Sequence, residues 1–270
     1  MQVSGKVAVI TGGARGIGKR IAEVLVDMGA SVVIGDVLEQ GGQVAEELNN
    51  GKDRLAAVFH HCDVSKMDSI KELVDRAESE FGHLDIMVNN AGVGGGFLWI
   101  DTDSTTHSSA IDINFKAPVE GTRLAVRSFY AANRPGCVVN IASIVAFTPL
   151  EYSPVYSATK AALVAFTAVS APLAEGTPPV RVNAVAPVYI DTAIVNENVT
   201  EKVNGLLRGL GERTVDDVAR EVVRCIEDEL LAGDTIVMRP EGPGKVATQV
   251  PKAESLGFIK HINKQANSSP

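Results

Sequence analysis

Tyr156 and Lys160 stand four positions apart, so they share one face if their segment is helical. A phenol is a poor base near neutral pH. An ammonium beside it favours the phenolate and makes it a usable proton acceptor. Ser143 offers a hydroxyl to hold a substrate oxygen, and it follows an apolar run that ends at Ala142. If that run is a strand, Ser143 lies at the carboxyl edge of a sheet, where open α/β sheets bind their ligands. A lone Tyr-x-x-x-Lys is most often a solvated helix face, so the pair gains weight only from its setting. Tyr152 is a decoy, because four residues on it meets Tyr156 and not a cation.

The second constellation is Thr11-Gly12-Gly13-Ala14-Arg15-Gly16-Ile17-Gly18, which follows one apolar run and opens an amphipathic one. Glycines there permit a tight turn and a close approach of pyrophosphate to backbone. The helix that follows turns free N–H groups and its positive dipole end toward the anion. Many glycine-rich turns are only turns. Asp36, closing the next apolar run, sharpens the reading, since its carboxylate can accept hydrogen bonds from an adenosine ribose. Without the glycine turn it would read as a strand-end residue.

These residues need a frame to hold them. Val7–Thr11, Ser31–Gly35, Leu55–Cys62, Ile86–Asn89, Val138–Ala142, Val180–Ala186 and Thr235–Met238 read as buried strands. Their near-continuous apolar character, without alternation, is what a sheet covered on both faces requires. Helical periodicity fills the intervals. Ile17, Ile21, Leu25 and Met28 run up to Gly29, and Ser65-Lys66-Met67-Asp68 resembles a capping box ahead of Ile70, Leu73, Val74, Ala77 and Phe81. Thr214–Asp217 opens a further helix expected to hold Val218, Val222, Ile226 and Leu230, with Gly233 after it. Strand–helix–strand repetition predicts an α/β chain with a doubly wound, mostly parallel seven-stranded sheet and helices on both faces. No linker or repeat interrupts it, so residues 1–240 are expected to form a single domain. Residues 241–270, with their prolines and polar end, read as a C-terminal tail, with Leu256–Ile259 docked. Gly92–Gly96 and Tyr189–Arg213 are irregular and are the candidate substrate loops, with Trp99 a candidate pocket residue nearby.

Charge and cysteine usage exclude several classes. With 25 basic against 33 acidic side chains the net charge is −8, which argues against nucleic acid or an anionic membrane surface as partner. Cys62, Cys137 and Cys225 are odd in number and lack CxxC spacing, which argues against a disulfide framework and for reduced thiols. No apolar signal segment opens the chain, and the stretch Ala161–Ala174 is expected to be too short for a bilayer. A cytoplasmic protein is expected. His60-His61-Cys62-Asp63 is not expected to bind metal, because consecutive strand residues face opposite sides.

Taken together, the chain resembles the short-chain dehydrogenase/reductase family of single-domain type. The resemblance rests on Thr11–Gly18, Asp36, Cys62-Asp63-Val64, Asn89-Asn90-Ala91-Gly92, Asn114, Ser143, Tyr156 to Lys160, Asn183 and Pro187 with Thr192, in family order over about residues 5–240. It implies a Rossmann-type sheet and a dinucleotide-binding and catalytic domain. It further implies Asn114, Ser143, Tyr156 and Lys160 as the catalytic set, with Asn114 holding a water that relays protons to Lys160. Gly12, Arg15, Gly16, Ile17, Gly18 and Asp36 would receive the cofactor. Asp63 and Val64 would meet the adenine, and Asn90, Ala91 and Gly92 would line the adenosine side. Tyr156 and Lys160 would reach the nicotinamide ribose, and Pro187, Ile190 and Thr192 the carboxamide end. One departure is Val188, where the family usually has glycine. Asp36 favours NAD by bonding a free 2′-hydroxyl, whereas Arg15 resembles the basic residue of NADP-preferring relatives. The carboxylate decides it, and NAD is expected.

Within the family, Pro154-Val155-Tyr156, Arg181-Val182-Asn183-Ala184, Thr192-Ala193-Ile194 and Ile226-Glu227-Asp228 resemble the NAD-dependent 15-hydroxyprostaglandin dehydrogenase branch. That branch carries glutamine at the position of Ser153, so the expected substrate is stated only as a small secondary alcohol or ketone. The helix from Tyr156 to Ala174 is apolar on nearly every side, which calls for a partner and predicts a homodimer or homotetramer. The competing reading is a dinucleotide-binding protein without turnover, either a redox sensor or a structural partner. The intact catalytic set favours the enzyme, and Val188 is the one mark for the other.

Overall fold

The computed structural model describes residues 1–95, 98, 104–191, 208 and 212–247. Ten strands are present among them: β1 (Val7–Thr11), β2 (Ser31–Asp36), β3 (Ala57–His61), β4 (Ile86–Asn89), β5 (Gly136–Ile141), β6 (Val180–Ala186), β7 (Tyr189–Ile190), β8 (Glu212–Arg213), β9 (Thr235–Val237) and β10 (Lys245–Ala247). Eight of them form one sheet in the order β10-β9-β6-β5-β4-β1-β2-β3. Its seven expected members run parallel, and the expected α/β class and doubly wound topology hold. The eighth, β10, pairs antiparallel with β9 at the edge. Sequence pattern missed it because a strand of three residues, one of them a lysine, carries no strand signal. It is anchored from outside, with the Gly244 N–H donating to Glu221 and Arg224 donating to the Gly244 carbonyl.

The helices are α1 (Gly16–Asp27), α2 (Gln40–Asn49), α3 (Met67–Phe81), α4 (Ser104–Ile111), α5 (Ala117–Ala131), α6 (Pro154–Val169) and α7 (Val215–Glu227), with a π-helical turn at Asp112–Lys116 between α4 and α5. Consecutive strand residues point to opposite faces, so each strand feeds two cores. Ile10, Ile34 and Val139 meet Ile21 and Leu25 of α1, Val44 of α2 and Val222 of α7. Val9, Val33 and Val138 meet Leu73 of α3 and Phe129 of α5. Val164 of α6 covers Ala142, Ala184 and Ala186. Strand order reverses where β1 lies between β4 and β2, which opens a crevice at the carboxyl ends.

Two helix ends differ from expectation. Ser65 does not cap α3. Its hydroxyl donates to Asp63 instead, and Lys66 stands at the cap position. Helix α7 has its capping box at Thr214 and Asp217 but stops at Glu227, leaving Leu230 84% exposed. The buried guanidinium of Arg181 explains the stop. It donates to the carbonyls of Cys225, Ile226, Asp228 and Leu231, which satisfies the helix end. Gly233 serves a turn, its N–H donating to Val182.

By length and composition the longer segment Pro154–Glu175, which contains the apolar stretch Ala161–Ala174, would pass for a bilayer-spanning helix. Here it breaks at Ser170 and buries Leu163, Val164, Thr167 and Ala168. β7 and β8 pair in parallel, Tyr189 with Glu212 and Ile190 with Arg213. Leu256–Ile259 lies outside the described residues.

Candidate active site

The glycine turn is built by contact. A side chain on Gly12 would put its Cβ 2.8 Å from the Ala91 Cα, and one on Gly18 would run into the Gly12 carbonyl oxygen. Gly12 also holds φ at +66°, a left-handed conformation that glycine supplies at no steric cost. Asn90 braces the turn, its amide donating to the carbonyls of Thr11 and Gly12 at 2.9 Å each. The Thr11 hydroxyl accepts from the N–H groups of Asn90 and Ala91. Arg15 precedes the first turn of α1, and Ile17 packs toward the core.

Asp36 closes β2 with its carboxylate in the crevice. One oxygen accepts from the Ala14 N–H and the other from the Leu38 N–H, each at 3.0 Å. Beyond β3, Asp63 accepts from the backbone and hydroxyl of Ser65 and pairs with Lys66 at 3.2 Å. The Ser65 hydroxyl is the main cause that holds its carboxyl below the usual range. Val64 beside it is buried. His60 faces Glu72 and His61 faces Glu39, as opposite strand faces require.

At the carboxyl end of β5, Ser143 accepts from the Val145 N–H and opens a 3-10 turn. Tyr156 approaches it from the first turns of α6. Lys160, only 4% exposed, donates from Nζ to the Ile141 carbonyl at 2.7 Å. Its Nζ stands 5.7 Å from the centre of the Tyr156 ring. Burial pushes the Lys160 ammonium down to about 8. Burial likewise pushes the Tyr156 phenol up, and the nearby Ser143 hydroxyl draws it partly back. The lowered tyrosine pKa expected from the lysine is therefore not met in the protein alone, where desolvation is the largest cause.

Asn114 is fully buried in the π-helical turn, and its amide grips the backbone of one residue on both sides. The Val93 N–H donates to its oxygen and its nitrogen donates to the Val93 carbonyl, both at 2.9 Å. These two bonds fix the loop after β4. Gly92 lies between Asn114 and Lys160. Ser153 ties the same loop from α6, donating to the Gly95 carbonyl at 3.0 Å. Pro187 accepts from the Ile144 N–H, and Ile190 is buried on β7. Val188 sits without strain. Asn133 is the one non-glycine residue with positive φ among the described residues, so the backbone does not demand glycine at Val188. Thr192 and Trp99 lie outside the described residues.

The two constellations thus meet at one edge of one sheet. The turn, the buried acceptor at Asp36 and the polar group at Ser143 suit a dinucleotide and a substrate oxygen. Residues 6–203 match the family model described as short chain dehydrogenase. The chain is 32% identical over 249 residues to human 15-hydroxyprostaglandin dehydrogenase [NAD(+)], covering 86% of this chain and 90% of that protein. It is 39% identical over 191 residues to cis-4-hydroxycyclohexanecarboxylate dehydrogenase of Sinomonas cyclohexanicum, covering 70% and 75%. A crystal structure of a short-chain type dehydrogenase/reductase from Mycobacterium marinum superposes with a TM-score of 0.80 at 25% identity, over 88% of this chain and 96% of that one.

Proposed function

The chain belongs to the short-chain dehydrogenase family, and on that premise we propose that it moves a hydride between NAD and the carbinol or carbonyl carbon of a secondary alcohol or ketone, with Tyr156 as general acid and base. The observation that carries the reading is the Tyr156 phenol beside Ser143, with the buried Lys160 ammonium near its ring and held by the Ile141 carbonyl. When bound, NAD supplies the hydride acceptor. Tyr156 takes the hydroxyl proton of the alcohol, and Ser143 holds the oxygen as it becomes a carbonyl. Lys160 keeps a positive charge beside the phenol as it loses its proton, while its bond to Ile141 fixes where that charge stands. Asn114 holds Val93 and so shapes the wall of the site.

The cofactor would be held by Gly12, Arg15, Gly16, Ile17 and Gly18 at the start of α1, with Asp36 at the adenosine ribose and Asp63 and Val64 at the adenine. Asn90, Ala91 and Gly92 would follow it along the crevice. Tyr156 and Lys160 would meet the second ribose, with Pro187, Ile190 and Thr192 at the far end. The free cysteines, all buried, fit a reducing compartment such as the cytoplasm. Helix α6 leaves Ala165 and Val169 exposed, and we read that face as the seam of a homodimer. Light scattering at micromolar concentration tests the dimer.

A panel of secondary alcohols with NAD, and of ketones with NADH, tests the chemistry through the coenzyme absorbance. Turnover of at least one pair that is lost in Tyr156→Phe is the expected result. NAD bound without turnover across the panel would favour the silent binding protein instead.

A further inference from the structure

The catalytic side chains come from the π-helical turn, the end of β5 and α6, and a second set of buried polar groups joins β5 and α6 to β4 and α5. The amide nitrogen of Asn89 on β4 donates to the Pro118 carbonyl and Thr122 hydroxyl on α5, and to the Asn140 side-chain oxygen on β5 at 2.8 Å. The amide nitrogen of Asn140 in turn donates to the Thr167 hydroxyl on α6 at 3.0 Å. Asn89 and Asn140 are register partners on neighbouring parallel strands, so their side chains emerge side by side on one face. All of these side chains are buried, Asn140 and Thr167 completely. Gly121 on α5 makes room, because a Cβ there would collide with the Asn89 oxygen.

We propose that this buried chain of hydrogen bonds sets the register of α5, β4, β5 and α6 against one another, and that Asn140 and Thr167 are positioning residues for the reaction. Helix α6 meets β5 through two polar ties. Lys160 donates to the carbonyl of Ile141, and Thr167 accepts from the side chain of Asn140. The two tied residues of α6 are seven apart, which is two turns and about 10.5 Å along the axis. What lies between them on the buried face, Leu163 and Val164, is apolar and without directional preference. A helix tied at one point can pivot, and one tied at two points cannot. The directional bonds choose one arrangement among the several that apolar packing would tolerate. β5 also leads into Ser143, so the tie at Asn140 fixes the distance between the two elements that bear Ser143 and Tyr156. At the other end, Asn89 holds α5 one turn beyond the π-helical turn that carries Asn114.

The inference rests on the proposed function. It is tested with a substrate that the wild-type protein turns over, by measuring kcat, the KM for NAD and the thermal midpoint of four variants. Thr167→Val keeps the shape and removes the acceptor, Thr167→Ser keeps the hydroxyl, and Ile226→Val trims the core on the opposite face of the sheet. Tyr156→Phe reports on the chemistry itself. Thr167→Val is expected to lower kcat by about 10–100-fold with the KM for NAD changed less than about threefold, the scale of a misplacement near 1 Å. Thr167→Ser should recover to within about threefold of wild type, and Ile226→Val should lose thermal stability with kcat within about twofold. If Thr167→Val does not fold, Thr167→Ala removes the same acceptor without placing a methyl group against Asn140, and Thr122→Val cuts the chain at its other end; both are read in the same way. A folded acceptor-less variant with kcat within about twofold of wild type overturns the proposal, leaving the chain a matter of stability alone. An equal loss in Thr167→Ser overturns it too. Near-normal turnover in Tyr156→Phe would strike the functional reading and not the register.

Discussion

Asp36 and Asp85 are both buried aspartates, 8% and 1% exposed, and they stand at opposite ends of the sheet. Asp85 precedes β4 at the amino end. It accepts from the Val7 N–H and is met by Arg134 at 2.8 Å, His83 at 2.9 Å and Lys6 at 3.7 Å. Asp36 ends β2 in the crevice, and its partners are two backbone N–H groups, with no basic side chain paired to it among the described residues. A buried carboxylate costs several kcal/mol unless its charge is answered. At Asp85 the answer is complete and internal, so the group serves the fold. At Asp36 it is partial and comes from backbone dipoles, so acceptor capacity remains for donors from outside. The same residue type is thus a pin at one end and a ligand contact at the other. Substitutions at the crevice should therefore change rate and affinity at little cost in stability, and those at the opposite end should do the reverse.

The strongest break of that comparison would come from Tyr156. Tyr156→Phe should lower kcat by roughly 10²–10⁴-fold or more while leaving the thermal midpoint and NAD affinity nearly unchanged. Lys160→Met goes further, because it should separate the two properties in opposite directions. Among the described residues its buried ammonium donates to one carbonyl, and its pKa is pushed down to about 8 by that burial. Methionine fills similar space without charge, so stability at neutral pH should rise by on the order of 2 kcal/mol, net of the lost hydrogen bond, as turnover falls. Chemical denaturation beside an activity assay reads both; a destabilised Lys160→Met would mean the ammonium is better compensated than its contacts show.

The paired aspartates supply the direct contrast. Asp36→Ala should shift the NAD to NADP preference by about 10–100-fold, since a carboxylate repels a ribose phosphate by a few kcal/mol at an effective dielectric near 20. Steady-state kinetics with both coenzymes decides it, and a wild-type preference for NADP would give the choice to Arg15. Asp85→Asn should cost about 1–3 kcal/mol, less than a fully buried pair because Lys6 and Arg134 can turn to water, and should leave kcat nearly intact. A loss of activity without a loss of stability in Asp85→Asn would erase the distinction between the two ends.

Much of this frame is legible in the chain because its signals are local. The parallel strands announce themselves as apolar runs, and Tyr156 and Lys160 by spacing alone. What the sequence concealed depends on partners far along it. Ser65 looks like a cap until Asp63 claims its hydroxyl. Leu230 looks like a helical core position until Arg181, some fifty residues earlier, ends the helix. The β7–β8 pairing and the grip of Asn114 on Val93 are tertiary choices with no periodic signature. Asn140 shows the same limit. One asparagine in an apolar strand reads as an irregularity until Asn89 and Thr167 are found on either side of it.

The smallest expected effect is a curvature in stability against pH, and it again sets crevice against core. Lys160 gives up its proton near pH 8 in the folded protein but near 10.5 when unfolded. Between those values the unfolded chain holds more protons, so its contribution to stability rises with pH and is lost as pH falls through about 8. Cys62 acts with the opposite sign. Its thiol titrates near 9.0 unfolded and is pushed up to about 11 by burial, so its contribution is full below 9.0 and is lost as pH climbs toward 11. Cys137 and Cys225, deeper still, are shifted in the same direction by the same cause. Tyr156, raised by burial, joins them above pH 10. From pH 8 to 9 the lysine alone would add about 1 kcal/mol, and the three thiols, titrating near 9.0 in the unfolded chain, offset about as much, so the unfolding free energy should be nearly flat there. Above pH 9 the thiols outnumber it and stability should turn downward. Denaturant titrations at half-unit steps locate the turn, and in Lys160→Met the plateau should be replaced by a decline. A plateau that persisted in that variant would assign it to another group, and the buried ammonium would no longer be the cost that the catalytic end of the sheet bears.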